Sequence, residues 1–205
     1  MITKEVISRA YSYTSYRELI NHFVAENKTS GEKQTPSRIE FTKLNTHRMN
    51  RLDKTVMLLP ALQQRLNEIT FNQTWLVLSE AWCGDSAQIV PVLEKIAIAS
   101  HGKIQLKILF RDGNPLVMDC VLTNGNRSIP KLIALNSDTL QMLGTWGPRP
   151  IPAQQIMLNW KSNQDTISWD TFEKELHTWY ANDKSQTMQK EFIEVITEWD
   201  GNAYL

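Results

Sequence analysis

The chain has 205 residues, which is enough for one domain with extensions or for two small domains. Its 22 basic and 22 acidic residues balance, so bulk charge attracts it neither to nucleic acid nor to an acidic membrane. No apolar run approaches the roughly 20 residues that span a bilayer. The first residues lack the apolar core of a signal peptide, and only two cysteines are present. We therefore expect a cytoplasmic protein without a disulfide framework.

The N-terminal third of the chain has the apolar spacing of helices. One helix is predicted from residue 1 to about 28, a polar loop over 27–36, and a second helix from near Ser37. Pro60 marks a kink or the first turn of a new helix. The apolar positions are Val6, Ala10, Tyr13, Tyr16, Leu19 and Phe23 in the first stretch, and Leu52, Val56, Leu59, Leu62, Leu66 and Ile69 in the second. We assign residues 1–70 to a helical N-terminal extension.

The middle of the chain alternates between strands and helices. The predicted elements are a strand at Trp75–Leu78, a helix at Asp85–Ser100, a strand at Ile104–Phe110, a short helix at Pro115–Leu122, a turn at Asn124–Asn126, and a hairpin of Leu132–Leu135 with Thr139–Leu143. The first two strands are joined through a helix, so we expect them to be parallel, with the hairpin adding antiparallel strands. Residues 71–150 form the predicted core.

The last part of the chain begins after Gly147-Pro148-Arg149-Pro150, which the two prolines indicate to be a stiff linker. Two or three helices follow, including Trp169–Tyr180 and Gln186–Trp199. We assign residues 151–205 to helices that complete and extend the domain.

Trp82-Cys83-Gly84-Asp85-Ser86 directly follows the first strand. Cys83 lies where that strand ends and a helix begins, and there the helix dipole and the unpaired N–H groups favour thiolate. Asp85 opposes this, because a carboxylate in the first turn competes for the same positive end. We therefore predict a moderately acidified thiol with a pKa of roughly 6.5–8. The alternative is that Cys83 is a small buried hydrophobe.

Ser86 stands three residues after Cys83, where a dithiol redox motif would place its second cysteine. Its hydroxyl either donates a hydrogen bond to the Cys83 thiolate or belongs to an ordinary first-turn serine. In both cases it cannot form a second disulfide, so a mixed disulfide at Cys83 needs an outside thiol for its release. The four histidines and two distant cysteines lack a recognised metal-binding spacing, and we expect no metal and no resident cofactor.

Two further groups of residues are candidates for a role. His47, Arg51 and Lys54 fall at helical spacing with Arg48 beside them. They form either an anion patch, for glutathione carboxylates or a phosphate, or a solvated helix face, and the pattern favours the solvated face. Cys120 lies in the short helix, where we expect it in the core rather than as the missing second thiol of the motif.

Features spread over about residues 73–147 together resemble the thioredoxin superfamily. In order they are the strand ending in Trp82-Cys83-Gly84, Pro91 inside the following helix, Ser128-Ile129-Pro130-Lys131-Leu132, and Gly144 closing the hairpin. With Gly-Pro-Arg-Pro and the helical ends, the chain is similar to a bacterial branch known as thioredoxin family proteins. The resemblance implies an α/β thioredoxin-like fold, a central mixed sheet flanked by helices, with helical N- and C-terminal extensions.

The resemblance also implies a site. It implies that Ile129–Pro130 is a cis peptide beside Cys83, and that the Ile129 backbone pairs with an extended substrate segment. The implied catalytic residues are Cys83 and Ser86, and the implied substrate-binding residues are Trp82, Gly84, Asp85, Ile129 and Pro130. Trp82 is then a flat platform for a partner, with a core tryptophan as the alternative.

The chain departs from the family pattern at three positions. Ser86 replaces the resolving cysteine, and Asp85 replaces the proline usual between the two cysteines. Val77 stands where the family has a buried carboxylate, so that proton acceptor is missing.

Different classes of function follow from these residues. The first is monothiol exchange through Cys83 with protein thiols and disulfides or glutathione as partners, and without nucleic acid or membrane. The second is a redox-inactive module that recognises an extended protein segment beside Ile129, and a weaker third is an adaptor that assembles through the C-terminal helices. A reactive and reachable Cys83 favours the first, and a buried inert one favours the second.

Overall fold

A computed structural model describes residues 2–202 of the chain. The helices are α1 (Lys4–Ser8), α2 (Tyr13–Ala25), α3 (Pro36–Thr55), α4 (Pro60–Asn67), α5 (Gly84–Ala99), α6 (Pro115–Asp119), α7 (Ile151–Ser162), α8 (Trp169–Asp183) and α9 (Gln186–Asn202). The strands are β1 (Gln73–Ser79), β2 (Ile104–Phe110), β3 (Lys131–Asn136) and β4 (Met142–Trp146). Pro60 opens α4, which confirms that it starts a new helix.

The strands of the described chain form one mixed sheet in the order β2-β1-β3-β4. β1 and β2 are parallel and are joined through α5, whereas β3 is antiparallel to both β1 and β4. This confirms the predicted α/β architecture of a mixed sheet flanked by helices. Central β1 is buried along its whole length.

Side chains of β1 alternate between two hydrophobic clusters, as expected for a strand covered on both faces. Trp75 and Val77 belong to the larger cluster, where the Trp75 ring packs 5.3 Å from Phe192 and 5.8 Å from Trp199 of α9. Leu76 belongs to the smaller cluster, which also contains Cys83. The strand that leads to the motif is therefore held from both sides.

The predicted continuous helix over residues 1–28 is wrong, because the chain breaks between α1 and α2. Tyr11 forms an antiparallel bridge to Ile108, with N···O distances of 2.8 and 2.9 Å. β2 is an edge strand, so this bridge satisfies backbone groups that the sheet leaves unpaired. Ser12 then caps α2 by accepting a hydrogen bond from the Ser15 N–H.

The second strand of the hairpin begins later than predicted. Residues 139 and 140 belong to the turn, where Leu140 has a positive φ of 60°. Asn136 fixes this turn by accepting hydrogen bonds from the N–H groups of Asp138 and Thr139. Sequence alternation could not separate these turn residues from the strand.

The C-terminal helices are present as predicted, and α9 packs against β4. Gly144 lies inside β4 rather than closing the hairpin, and a Cβ atom there would lie 2.0 Å from the Trp199 Nε1. Glycine is therefore required for the close approach of α9 to the sheet. Within residues 2–202, none of the helices combines the length and the apolarity needed to cross a membrane.

Candidate functional site

Cys83 is the N-cap residue of α5, four residues after the end of β1. Its side chain is 8% exposed and borders a cavity of about 290 Å³. The thiol donates to the Ile129 carbonyl oxygen at a sulfur–oxygen distance of 3.6 Å. The Ile129–Pro130 peptide is cis, as the resemblance implied. The structure thus brings Cys83, Ile129 and Pro130 together at the start of a helix.

The walls of this cavity, the thiol cavity, come from widely separated parts of the chain. Trp82, Gly84, Asp85 and Ile129 line it near the thiol, and Phe41 of α3 lines it as well. The C-terminal helices supply much of the remainder, through Gln154, Met157 and Lys161 of α7 and Trp169, Phe172, Glu173, Leu176 and His177 of α8. The C-terminal helices, which were predicted to complete and extend the domain, therefore form one side of the cavity that Cys83 borders.

Asp85 is buried, and both of its carboxylate oxygens have partners within the protein. Oδ2 lies 2.5 Å from Nη2 of Arg149, and Tyr180 donates its hydroxyl to Oδ1 at 2.8 Å. Asp85 borders the thiol cavity, as expected of a site residue, but its charge is engaged by Arg149 rather than free for a substrate. Arg149 comes from the segment predicted to be only a linker, and the sequence reasoning missed it.

The pKa of Cys83 is raised above its ordinary value, first by burial and then by the negative charge of Asp85. Hydrogen bonds from the Ser86 hydroxyl and N–H to the thiolate lower this pKa, and the positive charge of Arg149 also lowers it. These stabilising contacts do not outweigh the loss of hydration. The predicted acidified thiol is therefore wrong in direction.

Ser86 is 1% exposed, and its hydroxyl has no hydrogen-bond partner within the described chain. A buried hydroxyl without a partner costs free energy. Because the neutral Cys83 thiol already donates to Ile129, the Ser86 hydroxyl gains its strongest acceptor when the sulfur loses its proton. This placement suits the predicted hydrogen bond to the thiolate.

Gly84 is packed tightly between two side chains of other helices. A Cβ atom at Gly84 would lie 3.0 Å from Nε2 of His177 and 3.3 Å from Nη1 of Arg48. His177 lies 3.4 Å from the Gln88 amide nitrogen through Nδ1. Burial, followed by the charges of Arg48 and Arg149, lowers the pKa of His177 to about 3. His177 is therefore neutral near pH 7, and sequence reasoning did not identify it.

Some basic residues of α3 are exposed to solvent, whereas another, Arg48, lies near the motif. His47, Arg51 and Lys54 are exposed, as predicted for a solvated helix face. Arg48 instead turns toward the motif, where its guanidinium donates to the Asn45 side chain at 2.9 Å and lies 4.0 Å from Glu173 of α8.

Trp82 is half-buried and borders the thiol cavity. The guanidinium carbon of Arg38 lies 4.1 Å from the centre of a Trp82 ring, and that of Arg111 lies 5.2 Å away. Both distances allow cation–π interaction. Trp82 is thus not a bare apolar platform, because two positive side chains contact it.

A buried carboxylate is present near the motif, although not at the position that the family pattern implied. Val77 is fully buried in the core. Glu80, three residues later, is 0% exposed as well, and it carries the carboxylate that Val77 lacks. Glu80 accepts hydrogen bonds from the Ser30 hydroxyl and from the Asp112 N–H, the latter at 2.8 Å. Burial raises its pKa. An acidic residue two positions before Trp82 was the available signal.

Cys120 is exposed at the end of α6, so the prediction of a core cysteine is wrong. Its thiol donates to the Leu116 carbonyl oxygen at 3.2 Å. The α6 helix is only five residues long, and it buries Val117 and Met118 instead. Any measurement on Cys83 must therefore control for a second, more accessible thiol.

Comparisons with known proteins agree with this fold. A family model described as thioredoxin matches residues 16–167, a span that contains the motif and Pro130. A protein of unknown function from Pseudomonas aeruginosa has a similar crystal structure, with a TM-score of 0.64, 16% identity, and coverage of 96% of this chain and 98% of that chain. An HIV epitope-scaffold is also similar, with a TM-score of 0.53, 19% identity, and coverage of 91% and 98%. At these identities the structural likeness shows the fold alone, and no curated protein matches.

Proposed function

The chain belongs to the thioredoxin family, and on that premise we propose that it carries out monothiol thiol–disulfide exchange through Cys83. The observation that carries the proposal is the position of the sulfur. It lies at the first turn of α5 on the wall of a cavity, beside the Ile129–Pro130 peptide and next to a buried Ser86 hydroxyl that has no other partner among residues 2–202. These groups are arranged to support a thiolate when a disulfide enters the cavity.

The reaction has two displacement steps. The Cys83 thiol gives its proton to water, and the thiolate attacks one sulfur of a disulfide, forming a mixed disulfide and expelling the second sulfur as a thiolate that takes up a proton. An outside thiol such as glutathione then attacks the mixed disulfide and restores the Cys83 thiolate. The outside thiol leaves joined to the other half of the original disulfide, so one cycle exchanges one disulfide and one thiol for a new disulfide and a new thiol. A second outside thiol, attacking that new disulfide, completes the two-electron reduction of the original disulfide and is itself oxidised with the first. Ser86 takes no covalent part, so each cycle depends on the outside thiol.

The raised pKa of Cys83 limits the rate of this exchange at neutral pH. Little thiolate forms at neutral pH, so the rate should rise with pH up to and beyond the ordinary pKa of a cysteine. A thiolate of higher pKa is also the stronger nucleophile once it forms. We therefore propose a slow exchanger whose burial lowers the thiolate population but not its intrinsic reactivity.

The thiol cavity limits the partners of the reaction. Its volume of about 290 Å³ lies at the lower end of the range for small-molecule sites, which is about 300–1,000 Å³. We propose that small thiols and disulfides, or a single protruding cysteine of a protein, reach the sulfur. Dependence on glutathione or a similar thiol fits a reducing compartment such as the cytoplasm.

The second candidate is the redox-inactive binding module. The 8% exposure and raised pKa of Cys83 favour it, because inert cysteines are typically buried and protonated. In that case an extended protein segment would pair beside Ile129 and leave Cys83 reduced.

The two candidates differ in whether Cys83 forms a mixed disulfide. The Cys120→Ser variant, which removes the exposed thiol, is incubated with glutathione disulfide and examined by intact mass spectrometry. Exchange predicts one glutathione per chain, released again by reduced glutathione, and none on the Cys83→Ser/Cys120→Ser variant. If native Cys120→Ser protein takes up no glutathione at pH 9 but does so after unfolding, the thiol is inert and the binding module is the better account.

A further inference from the structure

A second cavity, of about 420 Å³, adjoins the thiol cavity. Four of the side chains that line it are positively charged, and we call it the basic cavity. Its lining consists of Glu32, Lys33, Arg38, Arg111, Asp112, Pro115 and Arg127. Arg111 lines both cavities, and Arg38 and Arg111 both contact Trp82 of the motif. The basic cavity is thus connected to the cysteine site through one shared residue, Arg111, and through the contacts of Arg38 and Arg111 with Trp82.

The positive charge of this cavity is only partly neutralised. Asp112 accepts two hydrogen bonds from Arg111, at 2.9 and 2.7 Å, and its other oxygen lies 3.8 Å from Arg38. One carboxylate therefore faces two guanidinium groups. Lys33 has no ion-pair partner among residues 2–202, although the exposed Glu32 beside it offsets part of its charge in solution.

The fourth cation contributes less. Arg127 makes a bidentate ion pair with Asp119, with both N···O distances 2.7 Å. The buried Nη1 atom of Arg38, in contrast, has no hydrogen-bond partner within the described chain. Arg111 already donates from Nε and Nη2 to Asp112 and from Nη1 to the Arg127 carbonyl oxygen at 3.1 Å, so it retains only the second N–H of each Nη nitrogen. Arg38 therefore offers the free hydrogen-bonding capacity to an added carboxylate, and Arg111 offers its remaining N–H groups and its charge.

The walls of the basic cavity are fixed by the buried Glu80. Its carboxylate holds the Ser30 loop on one side and the Asp112 backbone on the other. Gly31 lies so close to Asp112 that a Cβ atom would be 2.7 Å from Oδ2, and its φ of +78° suits glycine. The arrangement of charges is thus held by a buried contact rather than by exposed side chains alone.

From this geometry we infer that the basic cavity binds the negatively charged end of the disulfide whose sulfur Cys83 attacks. The substrate class is a small disulfide or thiol that carries one or more carboxylates, with its sulfur in the thiol cavity and a carboxylate at Arg38 and Arg111. The inference rests on the proposed exchange function and adds to it a preference for acidic substrates.

Three disulfides of similar size and different charge test this preference. They are the dianion of 3,3′-dithiodipropionate, neutral 2-hydroxyethyl disulfide and the dication of cystamine. For each probe, the rate of mixed-disulfide formation at Cys83 is measured in Cys120→Ser protein and in the same protein with Arg38→Gln. The two rates are compared as a ratio, in which the intrinsic reactivity of the probe cancels. Lys33→Gln, in an exposed loop, is the second variant in case Arg38→Gln does not fold, and Lys54→Gln is the matched control on the solvated face of α3.

We expect Arg38→Gln to slow the dithiodipropionate reaction about three- to tenfold, to leave the neutral disulfide within about twofold, and not to slow cystamine. Lys33→Gln should act in the same direction with a smaller change, about twofold, and Lys54→Gln should change none of the rates. Added salt should reduce the difference between the acidic and neutral probes. Equal effects on all three probes would overturn the acidic preference while leaving exchange intact. Failure of all three probes to react would overturn the proposed function itself.

Discussion

Replacing Asp85 by Asn should activate Cys83 and destabilise the fold at the same time. Asp85 is the second cause, after burial, of the raised thiol pKa, and Arg149 beside it is the positive charge that lowers this pKa. Asn at position 85 keeps one oxygen for the Tyr180 hydroxyl but carries no charge to neutralise Arg149. The thiolate therefore loses a repulsive neighbour and gains an unneutralised attractive one.

The size of both effects follows from the burial of this pair. A charged neighbour within about 4–6 Å changes a pKa by about 1–3 units. Because the substitution leaves burial, the largest cause of the raised pKa, in place, we expect the lower limit of this range, about one unit, or about ten times more thiolate at neutral pH. The Arg149 side chain is only 11% exposed, and leaving a buried charge unpaired costs about 3–5 kcal/mol. We expect a loss of about 3 kcal/mol in the free energy of unfolding.

The assay is the rate of iodoacetamide alkylation against pH in the Cys120→Ser background, together with urea unfolding of the same proteins. Asp119→Asn is the matched control, because it breaks an exposed ion pair with Arg127 and should change neither quantity by much. A Cys83 pKa that is unchanged or higher in Asp85→Asn would refute the electrostatic reasoning, whatever happens to stability.

Three further predictions concern single side chains. Ser86→Ala should raise the thiol pKa by up to about one unit, measured by the alkylation profile. The loss of stability should be small, because the Ser86 hydroxyl has no partner in the described part of the chain while Cys83 is a thiol. The pKa of His177 is lowered to about 3, so the unfolded chain binds a proton below about pH 6.5 that the native protein does not. The free energy of unfolding should therefore fall as pH drops from 6.5 toward 3, by up to about 1.4 kcal/mol per pH unit. When it is measured by urea unfolding at several pH values, His177→Gln should lose less stability per pH unit than the parent protein. Gly144→Ala should cost about 3 kcal/mol in urea unfolding, because its Cβ would overlap the indole of Trp199, whereas Gly201→Ala, with open space around it, should not destabilise.

The fold was predictable because its signals are local. Apolar and polar residues alternate in β2, which spans the predicted residues, Pro60 starts a helix, and the motif lies between a buried strand and a helix. The break before α2 was not predictable, because the helical spacing of apolar residues continues on both sides of Tyr11. The break results from the bridge between Tyr11 and Ile108, which is almost a hundred residues away in the sequence.

The environment of Cys83 was predictable only in part. Its place at the helix start follows from the neighbouring residues, and that place alone favours an acidic thiol. Its burial comes from residues distant in the sequence, because Cys83 packs in the smaller hydrophobic cluster with Val117 and Ile129, while helices α7 and α8 line the cavity beside it. Tertiary burial therefore reversed the direction of the pKa shift expected from local structure.

Two charged residues of the site carried weak sequence signals. Arg149 lies between two prolines, which fits a linker, and only the fold shows that it meets Asp85. Glu80 precedes the motif without any recognisable spacing, yet it holds two separate loops together. In both cases a charged side chain is buried against a distant partner, and no local pattern encodes that pairing.

The most direct test of the account is turnover. Glutathione-dependent reduction of 2-hydroxyethyl disulfide is followed with Cys120→Ser protein and with Cys83→Ser/Cys120→Ser protein between pH 7 and 9.5. The account predicts acceleration by the first protein only, increasing with pH across that range. Equal rates for the two proteins would contradict a functional role of the Cys83 thiol in exchange.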